Sequence, residues 1–415
     1  MLNKIFKLDL QEADKSVYIW AILSGVLYSG STMILSVVCS WCFGQELTGI
    51  YTVALTMGNQ LITIGYWNTR TYQASDITER VKFNDYFSLK VITTILMLVI
   101  GMIWVKIKGY SSQECIAIMI MTVFKCIEVF GDVFEGRYQQ KKRFDISSKS
   151  LLLRTLTFIV SFVITAVITK NLIISLAVMT ICYALAFMLI DARLIKHFGG
   201  LKVKFNMPNI QNLAIACFPL FVNSFLLMYI NNEAKYAVRD YLGNAILAKF
   251  NYLYMIAFVI NMFSSVILKP IINQLSELYM NKELKKIIKI LARQGLLILG
   301  LTVCCIIGAY LLGTQILSIV YHTDLTMYKM ELCILILGGA CTALYQVFQN
   351  IIIVMRHQYS CLIGCTITSA FTFVITPMFV KSMGISGGAF SYLATMLLMS
   401  TIYGLITAYF FIKEK

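Results

Sequence analysis

The stretch Ile92-Thr93-Thr94-Ile95-Leu96-Met97-Leu98-Val99-Ile100 carries no charge and does not alternate apolar with polar residues. A transmembrane barrel strand alternates over ~10 positions. In hydrocarbon every backbone polar group must be satisfied internally, which leaves helices once barrels are set aside. Charge-free runs recur at 16–45, 155–169, 205–232, 250–268 and 382–412. Each reaches or approaches the ~20 residues that a spanning helix needs. The chain is 415 residues long, 59% hydrophobic and 13% charged. A soluble domain carries about 25% charged residues. These observations predict an all-α polytopic membrane protein and exclude a soluble domain.

About twelve spans fit, at 17–41, 47–67, 88–106, 115–136, 151–169, 172–191, 213–231, 246–268, 292–312, 331–354, 361–380 and 386–411. With the N-terminus in the cytoplasm, the outer side receives Lys106, Lys108, Lys170, Lys235, Arg239, Lys329 and Lys381. Lys125 and Lys249 fall within spans, and all the other Lys and Arg fall on the cytoplasmic side. That asymmetry predicts both termini inside. The net charge of +15 is therefore spread over helix ends, which argues against nucleic acid as a partner.

No cleavable signal peptide is evident at the start, where a short mixed-charge segment precedes a first span too long for a signal core. Most of the twelve cysteines lie in apolar spans, where free Cys acts as a small apolar residue. Cys39 and Cys42 have redox spacing without the surrounding strands and helices of a redox fold. His197, His322 and His357 are far apart, so no metal-ligand cluster is expected.

A repeat is visible. Gly44-Gln-Glu-Leu-Thr-Gly-Ile-Tyr51 opens span 2, and Gly243-Asn-Ala-Ile-Leu-Ala-Lys-Phe250 opens span 8. At the same offset, Arg70 and Lys269 close those spans. The expected organisation is a six-helix half at 1–191, a cytoplasmic linker loop at 192–212 and a second six-helix half at 213–415. Parallel repeats of this kind are a transporter architecture.

Ionisable groups inside a span are costly and commonly functional. Lys125, Glu128, Asp132 and Glu135 on span 4 fall within about an 80° arc of one helix face. Lys125 and Glu128 are spaced to pair, and Arg154 on span 5 is a partner for the remaining acids. The set reads either as an interhelical salt-bridge group that fixes packing or as a cavity wall that binds a proton or cation. At the outer end of span 7, Lys235 and Arg239 lie four apart, and Lys249 follows on span 8. They read either as a solvated loop or as a cationic vestibule for phosphate oxygens.

Amides add a polar lining: Asn59 and Gln60 on span 2, Asn223 on span 7, Asn251 and Asn261 on span 8, and Gln346, Gln349 and Asn350 on span 10. Singly, each is as consistent with helix–helix contact as with ligand contact. Pro219 and Pro377 are expected to kink spans 7 and 11. The basic loop at 136–145 obeys the topology rule and also suits anionic lipid headgroups. The chain has no P-loop, H-E-x-x-H or G-x-S-x-G motif, so enzyme activity is not expected.

Three segments carry a family resemblance: Phe134-Glu-Gly-Arg-Tyr-Gln-Gln-Lys-Lys-Arg-Phe-Asp145, Asn232-Glu-Ala-Lys-Tyr-Ala-Val-Arg-Asp-Tyr-Leu-Gly243, and Gly44 with Gly49 and Tyr51. In these and in its span pattern the chain resembles polysaccharide repeat-unit flippases, which share a superfamily with multidrug and toxic-compound extruders. The resemblance implies two six-helix bundles around a cavity and alternating access in a bacterial cytoplasmic membrane. It implies an undecaprenyl-pyrophosphate-linked oligosaccharide as substrate, and a proton or sodium gradient in place of any cofactor. Polysaccharide polymerases and glycosyltransferases of the same pathway would be its partners, with membrane lipids around it. On that resemblance, Lys235, Arg239 and Lys249 would contact the pyrophosphate or an acidic sugar, and Asn223 and Asn59 would line the path. Glu128 and Asp132 would bind the coupling ion, while Arg70 and Lys269 would guard the inner mouth. Lipid II flippases carry two further helices, which weighs against a peptidoglycan precursor. The rival readings are a drug or cation antiporter of the same fold and a membrane polymerase.

Overall fold

In the computed structural model, the residues described are 6, 17–76, 79–200, 205–257, 275, 278–279, 281, 283–355 and 357–413. They are overwhelmingly helical. The helices are α1 (Val17–Tyr66), α2 (Thr69–Ser75), α3 (Phe83–Lys108), α4 (Ser112–Gln140), α5 (Phe144–Thr169), α6 (Leu172–Leu194) and α7 (Met207–Leu242). Next come α8 (residues 244–257), α9 (Leu284–Gly308), α10 (Thr314–Tyr321), α11 (Lys329–Val354) and α12 (Gln358–Lys413).

Two of these helices are hairpins. Gly44 interrupts α1 at φ 77°, ψ −177°, and Gly384 interrupts α12 at φ 61°, ψ −133°. In α12, Thr372 Oγ1 lies 3.2 Å from Thr395 Oγ1, and Cys365 Sγ lies 3.1 Å from the Tyr403 hydroxyl. The members of each pair lie at nearly equal sequence distance from Gly384, so the chain folds back there. In α1, Tyr28 from the first half reaches Glu128, and Gly58 from the second half abuts Lys125. Both halves of α1 therefore stand beside the same turns of α4.

Among the described residues, eight helices are long and apolar enough to cross a membrane. Counting both arms of each hairpin, and adding α4, gives eleven of the twelve spans expected among the described residues; the remaining one, expected at 246–268, is described to residue 257 as α8. Hydropathy alone passes over α4 because its charges are too many. The helices run past the expected spans. Residues 232–242 continue α7 as helix, where the sequence also allowed a solvated loop. Of the stretch 192–212, residues 192–194 end α6, Ile195–Phe198 form a 3-10 turn, and α7 begins at Met207.

A left-handed residue lies at each described connection that leads from an odd-numbered span to the next. These are Gly44, Gly109, Lys170, Gly243, His322 and Gly384, with φ between 49° and 84°. Gly44 and Gly243, the pair that marks the sequence repeat, share this conformation at 77° and 84°. A reversal this tight needs one residue outside the right-handed region, and glycine adopts it without steric cost.

The chain divides into two compact units, 1–225 and 226–415. The first is centred on α4: Phe134, Val133 and Tyr138 pack with Phe83, Tyr86, Ile146 and Leu194, and Val129 packs with Leu61 and Met97. In the second, Ile298 packs on Ala340, Ala343 and Val347, and Ile287 on Ile351 and Met355.

Candidate functional site

The first unit holds a buried network of charge along one face of α4. Lys125 Nζ donates to Glu128 Oε2 at 2.6 Å, and Tyr28 from α1 donates to Glu128 Oε1 at 2.9 Å. One turn on, Asp132 receives Lys90 of α3 at 2.9 Å and Arg70 of α2 at 3.4 Å. Arg70 also pairs with Glu135 at 2.8 Å. Glu135 is held from its other side by Arg154 of α5, whose Nε faces Asp191 of α6 at 3.2 Å. Ser150 donates to both oxygens of Asp191, at 2.7 and 2.8 Å, and Arg154 donates to the Tyr183 hydroxyl at 3.1 Å.

Local sequence makes room for this. A Cβ on Gly131 would sit 2.1 Å from Arg154 Nη1, so the glycine admits the guanidinium against α4. Gly58 and Gly65 likewise let α1 approach Lys125 and Val129. A lone buried charge is very costly, and pairing lowers that cost. Here four cations face four carboxylates. Arg70 is the most open member, with its side chain 33% exposed against 9% or less for the others.

Lys125, Glu128, Asp132, Glu135, Arg154 and Arg70 are thus brought into one face. Lys90, Asp191, Tyr28 and Tyr183 belong to it too and were not singled out from sequence. Asn59, on the second half of α1, is half-buried. Its neighbour Gln60 donates to the Phe225 carbonyl at 3.1 Å. Asn223 is half-buried on α7, and its Oδ1 is buried without a hydrogen bond. Trp67 and Asn68, both left-handed, grip α7 on either side of Pro219. Trp67 stacks on Phe221 with ring centroids 4.1 Å apart and donates to Ala214 O at 3.0 Å, while Asn68 donates to Ser224 at 2.9 Å.

The basic segment at the end of α4 and just beyond it is largely self-neutralised. Arg143 is buried and pairs with Asp145 at 2.9 Å, and Arg137 pairs with Glu79 at 3.0 Å and donates to Phe198 O at 3.1 Å. Lys141 also pairs with Glu79. Outside the spans, these hydrogen bonds, that from Lys141 first, hold the Glu79 carboxyl below its ordinary value.

In the second unit, Lys235 lies over the Tyr254 ring, its Nζ 4.2 Å from the centroid. No carboxylate pairs with it among the described residues. Tyr254 donates to Asn231 O at 3.2 Å and meets Tyr392 edge-on, and Tyr392 lies 3.0 Å from Thr342 Oγ1. Arg239 pairs with Asp240 at 3.2 Å. Lys249 faces Asp324, whose carboxyl is held low by its hydrogen bonds from Thr326 and, to a smaller extent, by Lys249. The three cations expected to act together therefore have three different neighbours. Lys269 and Asn261 lie outside the described residues.

No family model matches this chain. Over 257 residues it is 20% identical to the "Capsular polysaccharide biosynthesis protein CapF" of Staphylococcus aureus, a stretch that covers 61% of this chain and 64% of that relative. In structure it is similar to the lipid II flippase MurJ in an inward closed conformation. That likeness has a TM-score of 0.76 and 15% identity, and it covers 93% of this chain and 87% of the flippase. It is also similar to an inward-facing multidrug resistance MATE family transporter of the MOP superfamily. There the TM-score is 0.63 and the identity 14%, over 98% of this chain and 97% of the transporter. The protein is thus a multi-pass helical membrane protein with the fold of these transporters. That fold is the one found in the MOP superfamily.

Proposed function

We propose that this protein is a flippase that moves undecaprenyl-pyrophosphate-linked oligosaccharide repeat units from the inner to the outer leaflet of a bacterial cytoplasmic membrane. The observation that carries the reading is Lys235, a cation on a spanning helix set on an aromatic ring and paired with no carboxylate among the described residues. Such a group repels cationic drugs and attracts phosphate oxygens. Likeness to a lipid II flippase and to a capsule-biosynthesis protein supports the same class of cargo. A pyrophosphate headgroup does not cross hydrocarbon unaided, because desolvating its charge costs too much. A cationic and amide-lined path offsets that cost while the polyprenyl tail stays in lipid.

In this reading Arg70 stands at the inner mouth where the headgroup enters, Asn59 and Asn223 lie along the path, and Lys235, Arg239 and Lys249 receive the phosphates toward the outer end; Lys269, outside the described residues, is the further cation proposed for the inner mouth. Alternating access of the two six-helix halves is driven by a proton or sodium gradient. The coupling ion enters at Glu128 and Asp132, competing there with Lys125 and Lys90. Glycosyltransferases and a polymerase of the same pathway supply and consume the cargo.

The test is a deletion strain complemented with wild type, Lys235→Ala or Lys235→Arg. Wild type and the arginine variant are expected to restore surface polymer. The alanine variant should leave single repeat units on the cytoplasmic leaflet. Repeat units stranded on the outer leaflet would make the protein a polymerase. Drug sensitivity with intact polymer would make it an extruder of the MATE kind.

A further inference from the structure

Helix α9 has two chemically different faces. Ile287, Gln294, Ile298 and Thr302 are buried, and Ile287 packs on Leu275, Ile351 and Met355. At about 100° per residue, Lys285 and Lys289 point almost directly away from Ile287. Both are exposed, and so is Arg293 one turn further on. The same face then becomes apolar, with Leu296, Leu299, Val303 and Ile307 exposed in succession. In a membrane protein, an exposed apolar helix face of this kind is lipid-facing. The three cations therefore continue the acyl-chain face at the end where the hydrocarbon stops.

Topology alone accounts for positive charge here but not for its placement. Arg137, in the last turn of α4, and Arg143, just beyond it, are turned inward and paired. Lys286, beside the stripe, is paired with Glu283 at 2.7 Å. Lys285, Lys289 and Arg293 have no carboxylate partner among the described residues.

We propose that Lys285, Lys289 and Arg293 form a binding stripe for the phosphate of an anionic phospholipid of the phosphatidylglycerol class. Four residues of helix advance about 6 Å, so the stripe covers about 12 Å along the axis. Arg293 stands nearest the hydrocarbon and takes the glycerophosphate oxygens in its planar fork. Lys289 and Lys285 stand one and two turns outward, their methylene stems along the helix and their ammonium groups among the headgroups.

The experiment uses the full-length chain in neutral detergent, with its unfolding temperature titrated against dioleoylphosphatidylglycerol, dioleoylphosphatidylcholine and inorganic phosphate. Phosphatidylglycerol should raise the transition saturably, and the other two should not. K285Q/K289Q/R293Q should raise the half-saturating phosphatidylglycerol at least about tenfold, R293K by less, and Lys196→Gln not at all. If the triple variant shows no cooperative transition, Arg293→Gln alone carries the test. An unchanged half-saturation in the variants, or an equal response to phosphatidylcholine or inorganic phosphate, overturns the proposal.

Discussion

Lys90 of α3 and Asp132 of α4 meet at 2.9 Å, and the lysine side chain is wholly shielded from solvent. The ammonium group also donates to Tyr66 O at 2.7 Å, so α1, α3 and α4 are fastened at one point.

Removing one member of that pair strands the other. Lys90→Met or Asp132→Asn is expected to destabilise the protein by about 3–5 kcal/mol, the usual cost of an orphaned buried charge. The double variant should recover much of that loss. Thermal unfolding of the four proteins in detergent measures it, and additive losses would show that the two groups are not coupled.

Gly131 tests the neighbouring contact. Gly131→Ala places a methyl against the Arg154 guanidinium, which is held on its other sides by Glu135, Asp191 and Tyr183. A loss of about 1–3 kcal/mol or more is expected. Gly58→Ala should cost less, because its nearest neighbour is the flexible Met121 side chain at 2.9 Å. Equal melting temperatures for the two variants would contradict this.

The turns make a separate prediction. Gly44 has open space around its missing Cβ, so packing does not require a glycine there. Its φ of 77° with ψ of −177° does. Gly44→Ala should cost about 1–3 kcal/mol from backbone strain alone. Lys170, at φ 49° and ψ 30°, lies in the milder left-handed region, so Lys170→Gly should be neutral or slightly stabilising.

At the end of α4, the clasp of Glu79 with Lys141 and Arg137 depends on ionised glutamate. Because the folded-state carboxyl is depressed, the clasp contributes fully above the ordinary glutamate pKa and fades as pH falls through the lowered value. The protection of the amides across 79–82, taken against the intrinsic exchange rate at each pH, should therefore fall at acidic pH in wild type. Glu79→Gln should exchange faster already at neutral pH, with less further change on acidification.

Most of the fold was legible because charge is so sparse. Most spans declare themselves by length and apolarity, and the turns at Gly44 and Gly243 by the repeat they mark. The ends were misjudged because hydropathy reports where hydrocarbon stops, whereas helices such as α7 run on into polar surroundings. The face of α4 was legible from spacing, since Lys125 and Glu128 lie on one helix. Its partners were less so. Lys90 looked like one more topology-setting cation, although it stood inside its own expected span. Asp191 looked like a span terminus. That Lys235 would rest on Tyr254 depends on the packing of distant segments, which periodicity does not encode.

An electric field across a bilayer does about 2.3 kcal/mol of work per elementary charge for each 100 mV. The α4 network has as many positive as negative members, so a voltage neither pushes nor pulls it as a body. Lys235, with no carboxylate paired to it among the described residues, couples any change in its depth to that voltage. If Lys235 changes its depth in the bilayer, the potential of an energised cell does work through this one ammonium group.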